Sequence, residues 1–174
     1  MAERNNATHW STSVYELFKT HQVDLVSFVP DSGLKLLIER CQADPDVRTV
    51  TLTTEEEGIA LSAGAFLGGK RSALLMQSSG VGNIVNMLSL PRICNMPLFM
   101  LITMRGEWGE FNPWQVPMGQ NAQVVLETSG VIVHRVETPE DVYPTVEAAL
   151  MLTFDSRRRV AVLLSQKMIG VKHF

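Results

Sequence analysis

TLTTEEEGIALSAGAFLGGKRSALLMQSSGVGNIVNMLSLPRICNMPLFMLIT, from Thr51 to Thr103, is the stretch that decides the fold. It holds two runs that are apolar at every position, Ala73-Leu-Leu-Met76 and Phe99-Met-Leu-Ile102. A strand with one wet face alternates; a strand without alternation is covered on both sides, as in a parallel sheet packed between helices. The residues between the runs supply those helices. Glu55 to Leu67 is predicted as one, and Val81 to Leu90 as another, stopped near Pro91 because proline breaks a helix interior.

The alternation continues outward in both directions. Ser13-Val-Tyr-Glu16 carries the Ser-x-x-Glu pattern of a helix start and leads into a β-rich run, Val23 to Pro30. Asp31 and Ser32 are predicted to cap a helix containing Leu34, Leu37 and Ile38, and Asp44-Pro45-Asp46 turns the chain into a strand from Val47 to Thr53. Beyond Thr103 the irregular segment Arg105 to Gln120 precedes a helix near Ala122 to Thr128 and a strand from Val131 to Val136. A helix opened by Thr138-Pro139-Glu140 and a last strand, Val160 to Ser165, follow. The prediction is an α/β three-layer sandwich, with a mainly parallel sheet of about six strands and helices on both faces.

The 174 residues suit one domain over 1–174, without internal repeat, low-complexity stretch or linker, and 45% of them are hydrophobic, enough for a real core. A net charge of −3 and a pI near 5.8 leave no basic footprint for nucleic acid. Arg157-Arg158-Arg159 reads as a solvated connection. No apolar run reaches membrane-spanning length and the first residues lack a signal-peptide core, so a cytoplasmic location is expected. Cys41 and Cys94 have no metal-ligand spacing; no metal site is expected, and both read as buried thiols.

In open α/β sheets, ligands gather beyond the carboxyl ends of the strands. Four segments fall there: Pro30-Asp31-Ser32-Gly33, Thr54-Glu55-Glu56-Glu57-Gly58, Gln77-Ser78-Ser79-Gly80-Val81-Gly82-Asn83 and Met104-Arg105-Gly106-Glu107. The glycine loop matches neither a P-loop nor a dinucleotide fingerprint, since Gly80-Val-Gly82 is followed by Asn83-Ile-Val. Nothing matches a Gly-x-Ser-x-Gly nucleophile elbow, and the four histidines lie away from these strand ends or near the termini. Nucleotide binding and Ser–His hydrolysis are both disfavoured.

Glu55 through Lys70, Met76 to Asn86, Val29-Pro-Asp-Ser32 and Arg105-Gly-Glu107 resemble, in order and spacing, the pyrimidine-binding half of thiamine-diphosphate-dependent 2-oxo acid decarboxylases. The branch resembled is that of sulfopyruvate decarboxylase alpha subunits and the related phosphonopyruvate decarboxylases. The likeness runs from about Ser13 to Ser165, and implies the thiamine-diphosphate-binding pyrimidine fold. It implies that Glu55 exchanges a proton with N1′ of the cofactor's aminopyrimidine, and that Gln77, Ser78, Ser79, Gly80, Gly82 and Asn83 line the cofactor. Small residues, Gly58, Ala60, Ala63, Gly64 and Ala65, are expected to let the Glu55 helix pack closely.

The resemblance further implies decarboxylation of 3-sulfopyruvate to sulfoacetaldehyde and carbon dioxide. Asp31, Ser32, Gly33 and Arg105 are the candidates for substrate binding, with Arg105 paired to Glu107 at the surface as the alternative. The Trp108 to Pro117 loop is expected to close over the site. Many such decarboxylases carry a histidine where this chain has Thr54, so no histidine of this loop assists protonation. The Gly-Asp-Gly that marks the diphosphate-binding half does not occur in the sequence. A beta subunit holding Mg²⁺ and the diphosphate is therefore the expected partner. Two other readings stay open: a subunit acting on phosphonopyruvate or another 2-oxo acid, and a regulatory or scaffolding subunit that keeps only the fold.

Overall fold

The computed structural model describes residues 9–170, and its centre is a six-stranded, wholly parallel sheet. The strands are β1 (Val23–Phe28), β2 (Arg48–Thr51), β3 (Arg71–Gln77), β4 (Leu98–Thr103), β5 (Ile132–Val136) and β6 (Arg159–Leu164). Their spatial order is β2-β1-β3-β4-β6-β5, every pairing parallel. The helices are α1 (Trp10–Thr20), α2 (Lys35–Ala43), α3 (Glu55–Leu67), α4 (Val81–Ile84), α5 (Ser89–Ile93), α6 (Val116–Thr128), α7 (Val142–Phe154) and α8 (Gln166–Ile169).

The interior strands β3 and β4 are buried along their apolar lengths, as runs without alternation require. One core lies under α1, α2 and α7, around Phe18, Leu37, Phe99 and Val146. The second lies under α3, α4 and α6, around Ile59, Leu74, Met100 and Leu126. Fully burying such side chains contributes about 1.5–3 kcal/mol each, so the two faces together hold the sheet.

Local details depart from the sequence reading where a tertiary contact or a proline position overrides the pattern. Helix α1 begins at Trp10, not Ser13, because the apolar stripe Trp10, Val14, Leu17, Phe18 starts there; His9 is the N-cap, its Nδ1 accepting from Ser11 N at 3.3 Å. Helix α2 begins only at Lys35 and has no side-chain cap; Asp31, four residues earlier, answers Gly33 N in the turn ahead of the helix and Thr103 across the sheet. The predicted Val81–Leu90 helix is two pieces, α4 and α5, and Pro91 sits in the first turn of α5, where a missing N–H breaks no helical bond. Helix α6 starts at Val116, well before Ala122, with Pro117 pre-organised in its first turn. Gly64 and Ala60 face outward, and a side chain on Gly64 would touch nothing, so close packing of α3 rests on Gly58, pressed against Leu74 and Leu52, and on Ala63. Cys41 is buried, and burial pushes its thiol up to about 12, but Cys94 is exposed just past α5.

The topology places the candidate site. Strand β1 connects outward to β2, while β3 connects the other way to β4. The crevice between the carboxyl ends of β1 and β3 is thus the switch point where such sheets bind ligands. The loops after β1 and β3 flank it.

Candidate active site

Of the three adjacent acids, one is buried. Glu55 opens α3 and is 5% exposed, while Glu56 and Glu57 are exposed. The separation follows from helix geometry, since successive side chains point about 100° apart. Glu57 serves as a local cap, its Oε2 accepting from Thr53 N at 2.8 Å and so answering a backbone donor ahead of the helix. Glu55 instead turns toward the loop after β3. Its Oε2 accepts from Asn83 Nδ2 at 2.7 Å, and its other oxygen lies against the bare Cα of Gly80. A Cβ on Gly80 would stand 2.5 Å from Glu55 Oε1, so only glycine lets this carboxylate occupy the crevice.

The other predicted residues separate into two groups. Gln77 ends β3 with its Oε1 buried and without a hydrogen-bond partner, an acceptor whose desolvation nothing in the chain offsets. Ser78 is fully buried and clamps two loops together: its Oγ accepts from Arg105 N at 3.0 Å and reaches Arg105 O at 3.3 Å. Ser79 is half-buried, and Gly82 is exposed beside Met118 of α6. After β1, Asp31 Oδ2 accepts from Gly33 N at 3.1 Å and from Thr103 Oγ1 at 2.8 Å, so the loop arches over the end of β3 to reach β4. Ser32 and Asp31 line a cleft of about 450 Å³ with Phe28, Pro30, Lys35 and Thr51.

Arg105 is not the free cation that its place after β4 suggests. Its side chain is 7% exposed and makes a two-pronged contact with Glu110, itself 3% exposed, with Nε and Nη2 each 2.7 Å from a carboxylate oxygen. Glu107, its expected surface partner, instead accepts from Arg135 at 2.6 Å. Glu110 also accepts from Gly106 N, Asn112 N and Gln166 Nε2, at 3.2, 3.0 and 2.9 Å. The Arg105 guanidinium, helped by these donors, holds the Glu110 carboxyl down to about 2 against the opposing effect of burial. Gln166 of α8 completes the knot, its Oε1 accepting from Glu107 N and Trp108 N at 3.0 Å each.

The segment after Arg105 is consequently a folded strap. Gly106, at φ 78°, leaves room for the Gln115 carbonyl, and Gln115 is buried with an unpartnered Oε1. Trp108, Phe111 and Trp114 stand on its outer surface, Trp114 at 84% exposure. Sequence reasoning missed Thr103, Glu110 and Gln166. Thr103 had a usable signal, a hydroxyl ending an otherwise apolar strand; the other two matter only through partners that folding brings to them.

What the arrangement can do chemically is hold or exchange a proton at a buried carboxylate oriented by an amide. Among the described residues no group of three histidine, cysteine or acidic side chains stands together as a metal site, and no helix is long and apolar enough to cross a membrane.

No protein-family model matches the chain. The sulfopyruvate decarboxylase subunit alpha of Methanococcus maripaludis is 37% identical over 155 residues, covering 88% of this chain and 93% of that protein. A sulfopyruvate decarboxylase of Methanosarcina acetivorans is 32% identical over 156 residues, 88% of this chain but 39% of that longer protein. Among solved structures, the 2-oxoglutarate:ferredoxin oxidoreductase from Magnetococcus marinus superposes with a TM-score of 0.72 over 93% of this chain and 29% of its own, at 16% identity. That likeness shows a shared fold.

Proposed function

Because the chain belongs to the family of sulfopyruvate decarboxylase alpha subunits, we propose that it is the pyrimidine-binding half of a thiamine-diphosphate-dependent decarboxylase converting 3-sulfopyruvate to sulfoacetaldehyde and carbon dioxide. The observation that carries this reading is the buried Glu55 carboxylate, held by Asn83 and pressed against Gly80 in the β1/β3 crevice. The residues fit the pyrimidine end of the cofactor: a carboxylate for a ring nitrogen, a glycine leaving space, and the unpartnered Gln77 carbonyl for a donor. When bound, the cofactor supplies the electron sink that makes loss of carbon dioxide from a 2-oxo acid feasible. Glu55 holds and returns the proton at N1′. Asn83 fixes which oxygen it presents, and the Arg105–Glu110 knot keeps the strap packed on the Ser78 loop.

Recognition of the substrate's second anion falls to Lys35 rather than Arg105. Arg105 is internally neutralised, whereas Lys35 lines the cleft beside Asp31 and Ser32 and, among the described residues, has one loose, exposed carboxylate neighbour, Glu39 at 3.7 Å. An exposed pair of that kind contributes little to stability and is readily exchanged for a ligand anion. Lys35→Met is expected to raise KM for sulfopyruvate about tenfold or more, one charge-assisted contact, with kcat nearly unchanged. The same substitution tested with uncharged pyruvate, if turned over, should leave KM in place. Equal effects on both substrates would remove Lys35 from anion recognition, and phosphonopyruvate in the same assay distinguishes the two anionic substrates.

The diphosphate and its Mg²⁺ belong, in this reading, to a beta subunit. The sequence contains no Gly-Asp-Gly, and the match to the Methanosarcina protein spans 39% of its length, leaving room there for a second half. Two free thiols, one of them exposed, suit a cytoplasmic, reducing setting. The experiment that tests the split site is calorimetry of thiamine diphosphate with Mg²⁺ against this chain alone and against the chain co-purified with its companion. Saturable, Mg²⁺-dependent binding is expected only for the assembly. Tight binding to the isolated chain would place a diphosphate site here and overturn the division of labour.

A further inference from the structure

The amino edge of the sheet, opposite the Glu55 crevice, carries a cluster of positive charge that neither the core nor the proposed reaction uses. Arg158 and Arg159 lead into β6, and Arg159 pairs in register with Leu98 at the start of β4, while Arg158 O accepts from Leu98 N at 3.1 Å. Strand β5 begins on the other side of β6, with Ile132 beside Val160. Arg92, from α5, crosses toward that side and lays its guanidinium over the bare Cα of Gly130, just ahead of β5. The fold therefore brings the two segments that carry Arg92, Arg158 and Arg159 to the beginning of one interior strand.

Their charge is not compensated. Arg71, Arg105 and Arg135 each have a carboxylate partner, but among the described residues none lies within 4.0 Å of Arg92, Arg158 or Arg159. The acids just before these segments have other partners: Glu127 of α6 accepts from Gln123, and Asp155 lies 3.9 Å from Arg71. Arg159 is half-buried, and its Nε is enclosed without a hydrogen-bond partner. Burial first, and then the charges of Arg158 and Arg92, push the Arg159 guanidinium below its ordinary pKa. An arginine does not escape such a position by losing its proton, so the cost persists until an anion arrives.

We propose that Arg92, Arg158 and Arg159 form a binding site for a phosphate-class oxyanion, remote from the Glu55 crevice. A single carboxylate is satisfied by one guanidinium fork, whereas a tetrahedral, doubly charged oxyanion offers acceptors to several forks at once. The proposal is independent of the reaction assigned to Glu55. Titration of the full chain at low ionic strength with inorganic phosphate, followed by ³¹P line broadening, should saturate with a Kd of about 1 mM or tighter. Arg92→Ala and Arg158→Ala, both at exposed positions, should each weaken binding about tenfold. Arg157→Ala, whose guanidinium lies over Phe66, serves as the control and should leave it unchanged. Methyl phosphate in parallel separates a site for phosphoryl esters, which both probes saturate, from one for the free ion, which only phosphate saturates. Non-saturating broadening, or equal weakening by Arg157→Ala, would overturn the site. So would phosphate binding to the free chain that vanishes in the assembled enzyme, since that reassigns the arginines to a subunit contact.

Discussion

Glu55→Gln is expected to lower kcat of the assembled enzyme about 10²–10⁴-fold, the range one general acid–base group supplies, while the fold and the assembly persist. The substitution keeps the volume and an oxygen for Asn83 Nδ2, whose 2.7 Å hydrogen bond to Glu55 Oε2 survives in amide form. What is lost is the ability to take up and return a proton at the other oxygen, the one facing Gly80. Decarboxylation assays of Glu56→Gln and Glu57→Gln provide the contrast, because Glu56 is exposed and Glu57 serves the Thr53 N–H. Near-normal turnover by Glu55→Gln together with failure of either neighbour would reassign the proton exchange to another acid. Normal turnover by all three variants would leave the chain a scaffold.

The largest stability effect is expected at Glu110. Glu110→Ala leaves the Arg105 guanidinium buried without its carboxylate, and strips an acceptor from Gly106 N, Asn112 N and Gln166 Nε2. Removing one partner of a buried pair costs about 3–5 kcal/mol. At this chain length that lowers Tm by about 6–20 °C. Replacing both partners, Arg105→Met with Glu110→Leu, should recover much of the loss, since an apolar pair carries no desolvation penalty. The wild-type pair also sets a pH window. The Glu110 carboxyl is held down to about 2 from an ordinary value near 4.5, so its contribution is complete above about 4.5 and disappears as pH falls toward 2. Acid titration of unfolding should show this dependence in the wild type and a shallower one in Glu110→Ala; identical profiles would mean that the pair contributes nothing.

These two effects sit on different links between sequence and function. The role proposed for Glu55 rests on its place at a helix start, beside small residues and ahead of a glycine loop, all within Glu55 to Asn83. Glu110 acts through a knot tied by Gln166, 56 residues away. The first pattern is local and can be read along the chain. The second exists only after β6 has been laid beside β4.

The same distinction runs through the whole molecule. The parallel sheet and its covering helices were legible along the chain, because short runs apolar at every position, such as Phe99 to Ile102, alternate with helical segments that can cover both their faces, and that order of elements brings the loops after β1, β2 and β3 to one edge. Tertiary structure alone decided the rest. It enclosed Glu55 while leaving Glu56 in water, and joined Asp31 to Thr103, 72 residues apart, across the end of the sheet. It paired Arg105 with Glu110 in the interior rather than with Glu107 at the surface, and made Arg159, read in sequence as part of a solvated connection, the half-buried start of β6. The physical reason is common to these cases. Hydrophobic periodicity is a property of the chain, whereas burial of a polar group is set by which distant donors and acceptors fold against it.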